Sequence, residues 1–297
     1  MPHLVKDKRF RRYKMKESEK ISPTAKLVAY SRTFTDIPFA KEIATKSNAK
    51  QSFEEQTGDI RGSPIWEARY KVTDKIIKEH GITQVLEIAA GLSPRGLSMT
   101  RNSDVVYVAT DLPQILEEEK EIAQSILAQS NESRPNLHFQ AVNALDMESL
   151  SKAVTFFKKD KSLAVITEGL LPYFSMEEKQ TLAKNIHKIF SEYSGCWITN
   201  EVYSKDALKK MSQSADFAKN RMKQDQYNIL SGNNIFSDED EIKRFFEEEG
   251  FKIERFSHSK IFGELTSVKN LGLSEEEIVK IKQILNIKDT LVLTPSY

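Results

Sequence analysis

The sequence predicts an α/β fold built on a mostly parallel sheet. Three observations predict it. From residue 82 onward, short β-rich runs alternate with amphipathic helical stretches. The repeat takes about 20 to 30 residues, as βαβ units do. The first β-rich run also passes straight into a turn of small residues, Ala89-Ala90-Gly91.

Before residue 80 the pattern is helical. Ser22-Pro23 reads as an N-cap followed by proline at the first helical position, leading into Thr24–Phe34. A second helix is expected from Pro38 to Lys46. A third runs from Pro64 to Gly81 and carries Ile65, Ala68, Val72, Ile76 and Ile77 at helical spacing. These make an N-terminal helical cap over residues 1–80, and residues 81–297 make the α/β domain. Strands are expected at Gln84–Ile88, Val105–Ala109, Leu137–Ala141, Ala164–Thr167 and Trp197–Asn200, with helices at Leu112–Gln129, Met147–Phe157 and Met176–Phe190. Ser175 and Glu178 have capping-box spacing for the last of these. The polar run Ser204–Asn234, rich in Lys, Gln, Asp and Met, breaks the alternation and reads as an inserted lid over about 204–240. A helix at Ser237–Glu249, strands at Phe251–Phe256 and Thr290–Thr294, and a helix at Ser274–Leu285 complete the chain.

Bulk composition narrows the function. With 297 residues, 39% of them hydrophobic, the chain suits one large domain with an added cap. Lys+Arg (44) and Asp+Glu (43) nearly cancel, so no global charge favours nucleic acid. The basic run Lys6–Lys20 reads as a solvated terminus. The single cysteine, Cys196, lies in an apolar run and reads as core, which excludes an internal disulfide framework and a cysteine-rich metal site. His138 and His187 lack neighbours at metal-ligand spacing and read as structural, so no metal is expected. No apolar stretch reaches membrane-spanning length and no signal-peptide core is present, so the expectation is a cytoplasmic chain without a membrane partner.

The chemistry concentrates at expected strand ends. In Val85–Gly96 a buried strand meets a small-residue turn and then a helix start; small residues let the backbone approach a ligand, and a helix N-terminus offers free N–H groups. Asp111 ends the next strand, 20 residues beyond Gly91, where an acid can accept from both ribose hydroxyls of an adenosine cofactor. Ala89 and Ser93 stand where dinucleotide folds prefer glycine. That relaxed turn, with Glu87 on its strand, favours a sulfonium cofactor, S-adenosylmethionine, over NAD. Asn143, Ala144 and Leu145 follow the third strand, where adenine is expected, and Leu112 follows Asp111. Glu168 closes the fourth strand beside the expected reacting centre, and Tyr173 follows as either a packed aromatic or an acceptor contact. Simpler readings compete: Asp111 as a helix cap, Arg95 paired to a nearby carboxylate, and Glu117, Glu118 and Glu119 as a solvated helical face.

Glu87–Gly96, Ala109–Pro113 and Thr167–Tyr173 resemble the leucine carboxyl methyltransferase family, in its bacterial branch of polyketide-type O-methyltransferases. Ser22–Lys26, Ala29–Arg32 and Trp66–Tyr70 fit the same pattern. The resemblance implies a Rossmann-like class I methyltransferase fold with a helical cap and a variable lid. It also implies S-adenosylmethionine as cofactor and Arg69, otherwise an ordinary solvated arginine, as the holder of its methionyl carboxylate. The expected activity is methyl transfer to an oxygen of a small-molecule acceptor. A carboxylate oxygen is favoured, because no histidine base stands at a strand end. A nucleotide-binding oxidoreductase and a non-catalytic binder of the same fold are the rival readings. Oligomeric state and acceptor identity are left open by the sequence.

Overall fold

The computed structural model describes residues 23–56, 58–214 and 234–296. Ser22, the basic run 6–20 and most of the expected lid therefore lie outside the described residues.

Among the described residues four α-helices precede the first strand: α1 (Pro23–Arg32), α2 (Ala40–Lys46), α3 (Ala49–Glu55) and α4 (Ser63–Glu79). Helix α4 has proline in its first turn, where a missing N–H costs nothing, and it buries Ile65, Ala68, Val72, Ile76 and Ile77. The alternation follows as β1 (Gln84–Ile88), α5 (Arg95–Met99), β2 (Val106–Asp111), α6 (Pro113–Gln129), β3 (Leu137–Ala141), α7 (Met147–Val154), β4 (Leu163–Thr167), α8 (Met176–Phe190) and β5 (Gly195–Thr199). Ser175 and Glu178 close a complete capping box at α8. After α9 (Lys205–Ser214) the described chain resumes at Asn234. It continues through the helix Glu239–Glu248, β6 (Phe251–Ser257), the helix Glu275–Ile287 and β7 (Asp289–Pro295).

The seven strands form one sheet in the order β3-β2-β1-β4-β5-β7-β6. The first five are parallel, and β7 runs antiparallel between β5 and β6. One face packs on α4, α6 and the helix Glu275–Ile287; the other carries α7, α8 and the helix Glu239–Glu248. Burial on both faces explains why β4 is apolar up to its last residue, while β1 buries Gln84 and Glu87 among Val85, Leu86 and Ile88. No helix among the described residues is long and apolar enough to cross a membrane.

Register determines what meets at the carboxyl edge. Ile88 pairs with Thr110 on one side and Thr167 on the other, and Thr167 pairs with Thr199. The residues that follow this row, Ala89, Asp111, Glu168 and Asn200, therefore emerge side by side. The reversal of strand order falls between β1 and β4, the crevice where open α/β sheets bind ligands.

Candidate cofactor site

The turn after β1 is conformationally demanding. Ala89 (φ 58°) and Gly91 (φ 55°) both take left-handed backbone, which glycine adopts freely and alanine only at a cost. The Gly91 N–H donates to Asp111 Oδ2 at 3.0 Å, and the Leu112 N–H donates to Oδ1 at 2.8 Å. Asp111 is not the cap of α6: the N-cap position is Leu112, with no side-chain capping bond. The carboxylate instead ties two ligand-facing turns together. Burial pushes its pKa up to about 6, against the lowering by the two N–H groups. Leu112 itself is 48% exposed, an apolar surface beside the turn.

Next to this turn lies a buried cluster of arginines and carboxylates. Glu168 Oε1 accepts from Arg32 Nη2 at 2.5 Å and pairs with Arg69 Nη2 at 2.8 Å, while its Oε2 accepts from Arg95 Nη2 at 3.1 Å. Burial alone would raise the Glu168 pKa, but Arg69, Arg32 and Arg95 together hold it well below the usual carboxylate range. Arg69 is buried, not solvated, and its Nη1 also donates to Glu201 at the end of β5. Arg95 is the better-connected arginine. Fully buried, it donates to Glu87 Oε1 at 2.5 Å and to Asp74 Oδ1 at 2.7 Å, so its pairing is with carboxylates. The Tyr70 ring lies beneath both Arg95 (4.4 Å) and Arg32 (5.2 Å).

Glu87 turns away from the strand ends. It is held by Arg95, by Tyr107 OH and by Ser93 Oγ at 3.1 Å, so it braces the glycine turn from behind. Asn143 is exposed, with Oδ1 accepting from the Leu145 N–H at 3.0 Å, whereas Ala144 and Leu145 pack on the core. Tyr173 lies at the end of a short 3-10 turn, bonded to Thr24 of α1. Behind Arg69, Asn200 Nδ2 donates to Thr73 Oγ1 (2.9 Å) and Thr290 Oγ1 (3.1 Å), and His258 Nε2 meets Thr290 Oγ1 at 2.9 Å. This network fixes α4 against β5 and β7. Burial lowers the His258 pKa to about 3, with Lys288 and Arg69 adding to the effect.

One sequence expectation is corrected here. Glu119 is not part of a solvated face. It is buried and lines a small cavity with Glu87, Tyr107, Ile122 and Phe139, because helical spacing sets it in line with Leu116, Ile122 and Ala123. Glu201 was not singled out by sequence reasoning. Its signal was positional: it follows the apolar run of β5 at nearly the place where Glu168 follows β4. Among the described residues no group of histidine, cysteine and carboxylate side chains could hold a metal ion.

The residues fit an adenosine cofactor with an amino-acid tail. Asp111 is an anion beside the turn, and the cluster contains buried polar atoms without partners: Arg69 Nε, Arg32 Nε and Glu201 Oε2. Sheet order, left-handed turn and strand-end acids together define a class I S-adenosylmethionine-dependent methyltransferase. The chain belongs to the leucine carboxyl methyltransferase family, whose model matches residues 21–187, more than half its length; its cofactor is S-adenosylmethionine.

One solved structure agrees on the fold, and two others show a likeness alone. A DUF574 family protein from Streptomyces avermitilis superposes with a TM-score of 0.55 at 14% identity, covering 92% of this chain and 97% of that one. Magnesium protoporphyrin IX methyltransferase from Synechocystis, solved with bound S-adenosylhomocysteine, gives a TM-score of 0.47 at 13% identity, covering 84% and 96%. An O-methyltransferase family protein from Burkholderia thailandensis gives 0.43 at 12% identity, covering 94% and 65%. No curated protein sequence matches the chain.

Proposed function

We propose that the chain methylates an oxygen of a small-molecule acceptor, and that this oxygen belongs to a carboxylate. The observation that carries the reading is the state of Glu168. An acid whose two oxygens face three guanidinium groups stays ionised and is a poor proton acceptor. His258 is buried and bonded to Thr290, and His138 stacks on Phe156 at 4.4 Å on the β3 side of the sheet. Neither is disposed to deprotonate an acceptor. A carboxylate arrives already ionised at neutral pH, whereas a phenol, with an unperturbed pKa of about 10, needs a base.

When bound, the cofactor supplies an electrophilic methyl group on sulfur; the protein supplies alignment and water exclusion. In this reading Asp111 holds the ribose, Leu112, Asn143, Ala144 and Leu145 frame the adenine, and the Ala89–Ala90–Gly91 turn faces the amino-acid tail together with Arg69. Glu168 keeps the arginine cluster neutralised near the reacting sulfur, and Tyr173 contacts the acceptor. Glu87 acts from behind, through Arg95. The polyketide character of the acceptor rests on the family resemblance, and the segment 204–240 would shape its pocket.

The test uses methyl-labelled S-adenosylmethionine with matched aromatic acids and phenols. Carboxyl transfer yields methyl esters, which release labelled methanol in mild alkali; ethers do not. Labelled product stable to alkali would replace the carboxylate acceptor with a hydroxyl.

A further inference from the structure

A carboxylate acceptor offers one oxygen to the methyl group and keeps the other for a hydrogen bond. That bond needs a donor at the carboxyl edge of the sheet. Thr199 of β5 pairs with Leu291 of β7, and Asn200 Nδ2 reaches Thr290 Oγ1 at 3.1 Å. Carried two residues further, the same antiparallel register brings Lys288 level with Val202, beside Tyr203. Lys288 is 3% exposed, and its Nζ donates to the Tyr203 hydroxyl and lies 4.5 Å from the centre of that ring. The His258 N–H donates to the Lys288 carbonyl at 3.0 Å and fixes the lysine backbone. A phenol that accepts from an ammonium still has its own proton to give. Among the described residues the Tyr203 hydroxyl meets no acceptor for that proton. The side chain is half-buried and within electrostatic reach of Glu201 and Arg69, so it stands near the reacting centre. Burial, with Glu201 adding to it, pushes the phenol well above its ordinary pKa against the pull of Arg69. Tyr203 therefore keeps its proton and is a donor, not a base.

We propose that Tyr203, backed by Lys288, binds the acceptor by donating a hydrogen bond to the carboxylate oxygen that is not methylated. The proposal rests on the carboxylate reading given above. The ammonium polarises the phenol O–H, which strengthens the bond the hydroxyl makes on its other side. Hydrogen bonds to ionised groups are about twice as strong as those between neutral ones. Methyl transfer turns the acceptor from a carboxylate into a neutral ester, so the Tyr203 bond weakens once the reaction is done. The same contact that holds the substrate thus favours release of the product.

The test titrates benzoate, 1-naphthoate, phenol and 1-naphthol into protein saturated with S-adenosylhomocysteine, followed by ligand-observed NMR. Wild type, Tyr203→Phe and Lys288→Met are compared. Wild type is expected to bind the two acids in preference to the two phenols. Tyr203→Phe removes only the hydroxyl and should weaken the acids by about ten- to a hundredfold, with the phenols and S-adenosylhomocysteine nearly unchanged. Lys288→Met should lose acid affinity in the same sense but less. Acids bound by Tyr203→Phe as well as by wild type would overturn the proposal. So would a wild type that holds acids no better than phenols, or a loss of S-adenosylhomocysteine in step with the acids. Labelled methyl transfer separates this failure from that of the carboxylate reading. Alkali-labile ester made by Tyr203→Phe at the wild-type KM would remove Tyr203 and leave the carboxylate acceptor standing; alkali-stable ether as the wild-type product would sink both.

Discussion

At the scale of single residues, the site is built from charges the fold would not keep for stability alone. Asp111 shows this most clearly. Its pKa rises from 3.8 to about 6 on burial, so the ionised form is disfavoured in the folded chain. A carboxylate whose folded pKa lies above its unfolded value costs stability at neutral pH; that cost begins to shrink as pH falls through the folded value and is gone only below the unfolded one. Cofactor affinity should move in the opposite sense, because ribose hydroxyls donate best to the ionised acid. Asp111→Asn is therefore expected to melt no lower than wild type at about pH 7.5, while binding S-adenosylhomocysteine about ten- to a hundredfold more weakly. Wild-type affinity should fall as pH drops below about 6, and the variant's should not follow. Asp74 also titrates near 6 but is present in both proteins, so the difference between their pH profiles isolates Asp111. Calorimetry across that range decides, and equal affinity of the two proteins would reduce Asp111 to a brace between turns.

At the scale of elements, the turn after β1 carries stored strain. Alanine in left-handed backbone costs about 1–2 kcal/mol, and Ala89 is half-buried with φ 58°. Glycine relieves that strain but restores about 0.5–1 kcal/mol of unfolded-state freedom. Ala89→Gly should therefore stabilise the protein, by about 1 kcal/mol or less, in urea unfolding. A clear loss of stability would mean that the Ala89 methyl packs more than the backbone strains. Most elements were legible in the sequence because periodicity and punctuation agreed: β1, β3 and α8 occupy their expected spans, with proline, serine and glycine at the helix ends. The short helix α3 (Ala49–Glu55) was missed because seven residues, mostly polar, give too few turns for a periodic signal. The placement of β7 between β5 and β6 was also not legible, since strand order depends on pairing partners that alternation does not specify.

At the scale of the whole molecule, the site is made by distant segments converging. Glu168 of the β4 edge meets Arg32 of α1 and Arg69 of α4, the first of them 136 residues away in sequence. Sequence spacing located the strand-end acids Asp111 and Glu168, because the first ends and the second directly follows a legible strand. It could not locate Glu201 as the partner of Arg69, nor show that Glu87 faces Arg95, because those contacts follow from register and helix packing. The same convergence makes cofactor binding and folding one linked equilibrium. A ligand that binds the native state alone stabilises it by about 2.7 kcal/mol at a hundred times its dissociation constant. The most direct test of the account is therefore thermal unfolding of the wild-type chain with saturating S-adenosylhomocysteine and, separately, NAD. S-adenosylhomocysteine is predicted to raise the melting temperature by several degrees and NAD to leave it unchanged; a larger shift with NAD would contradict the cofactor assignment and the site built around it.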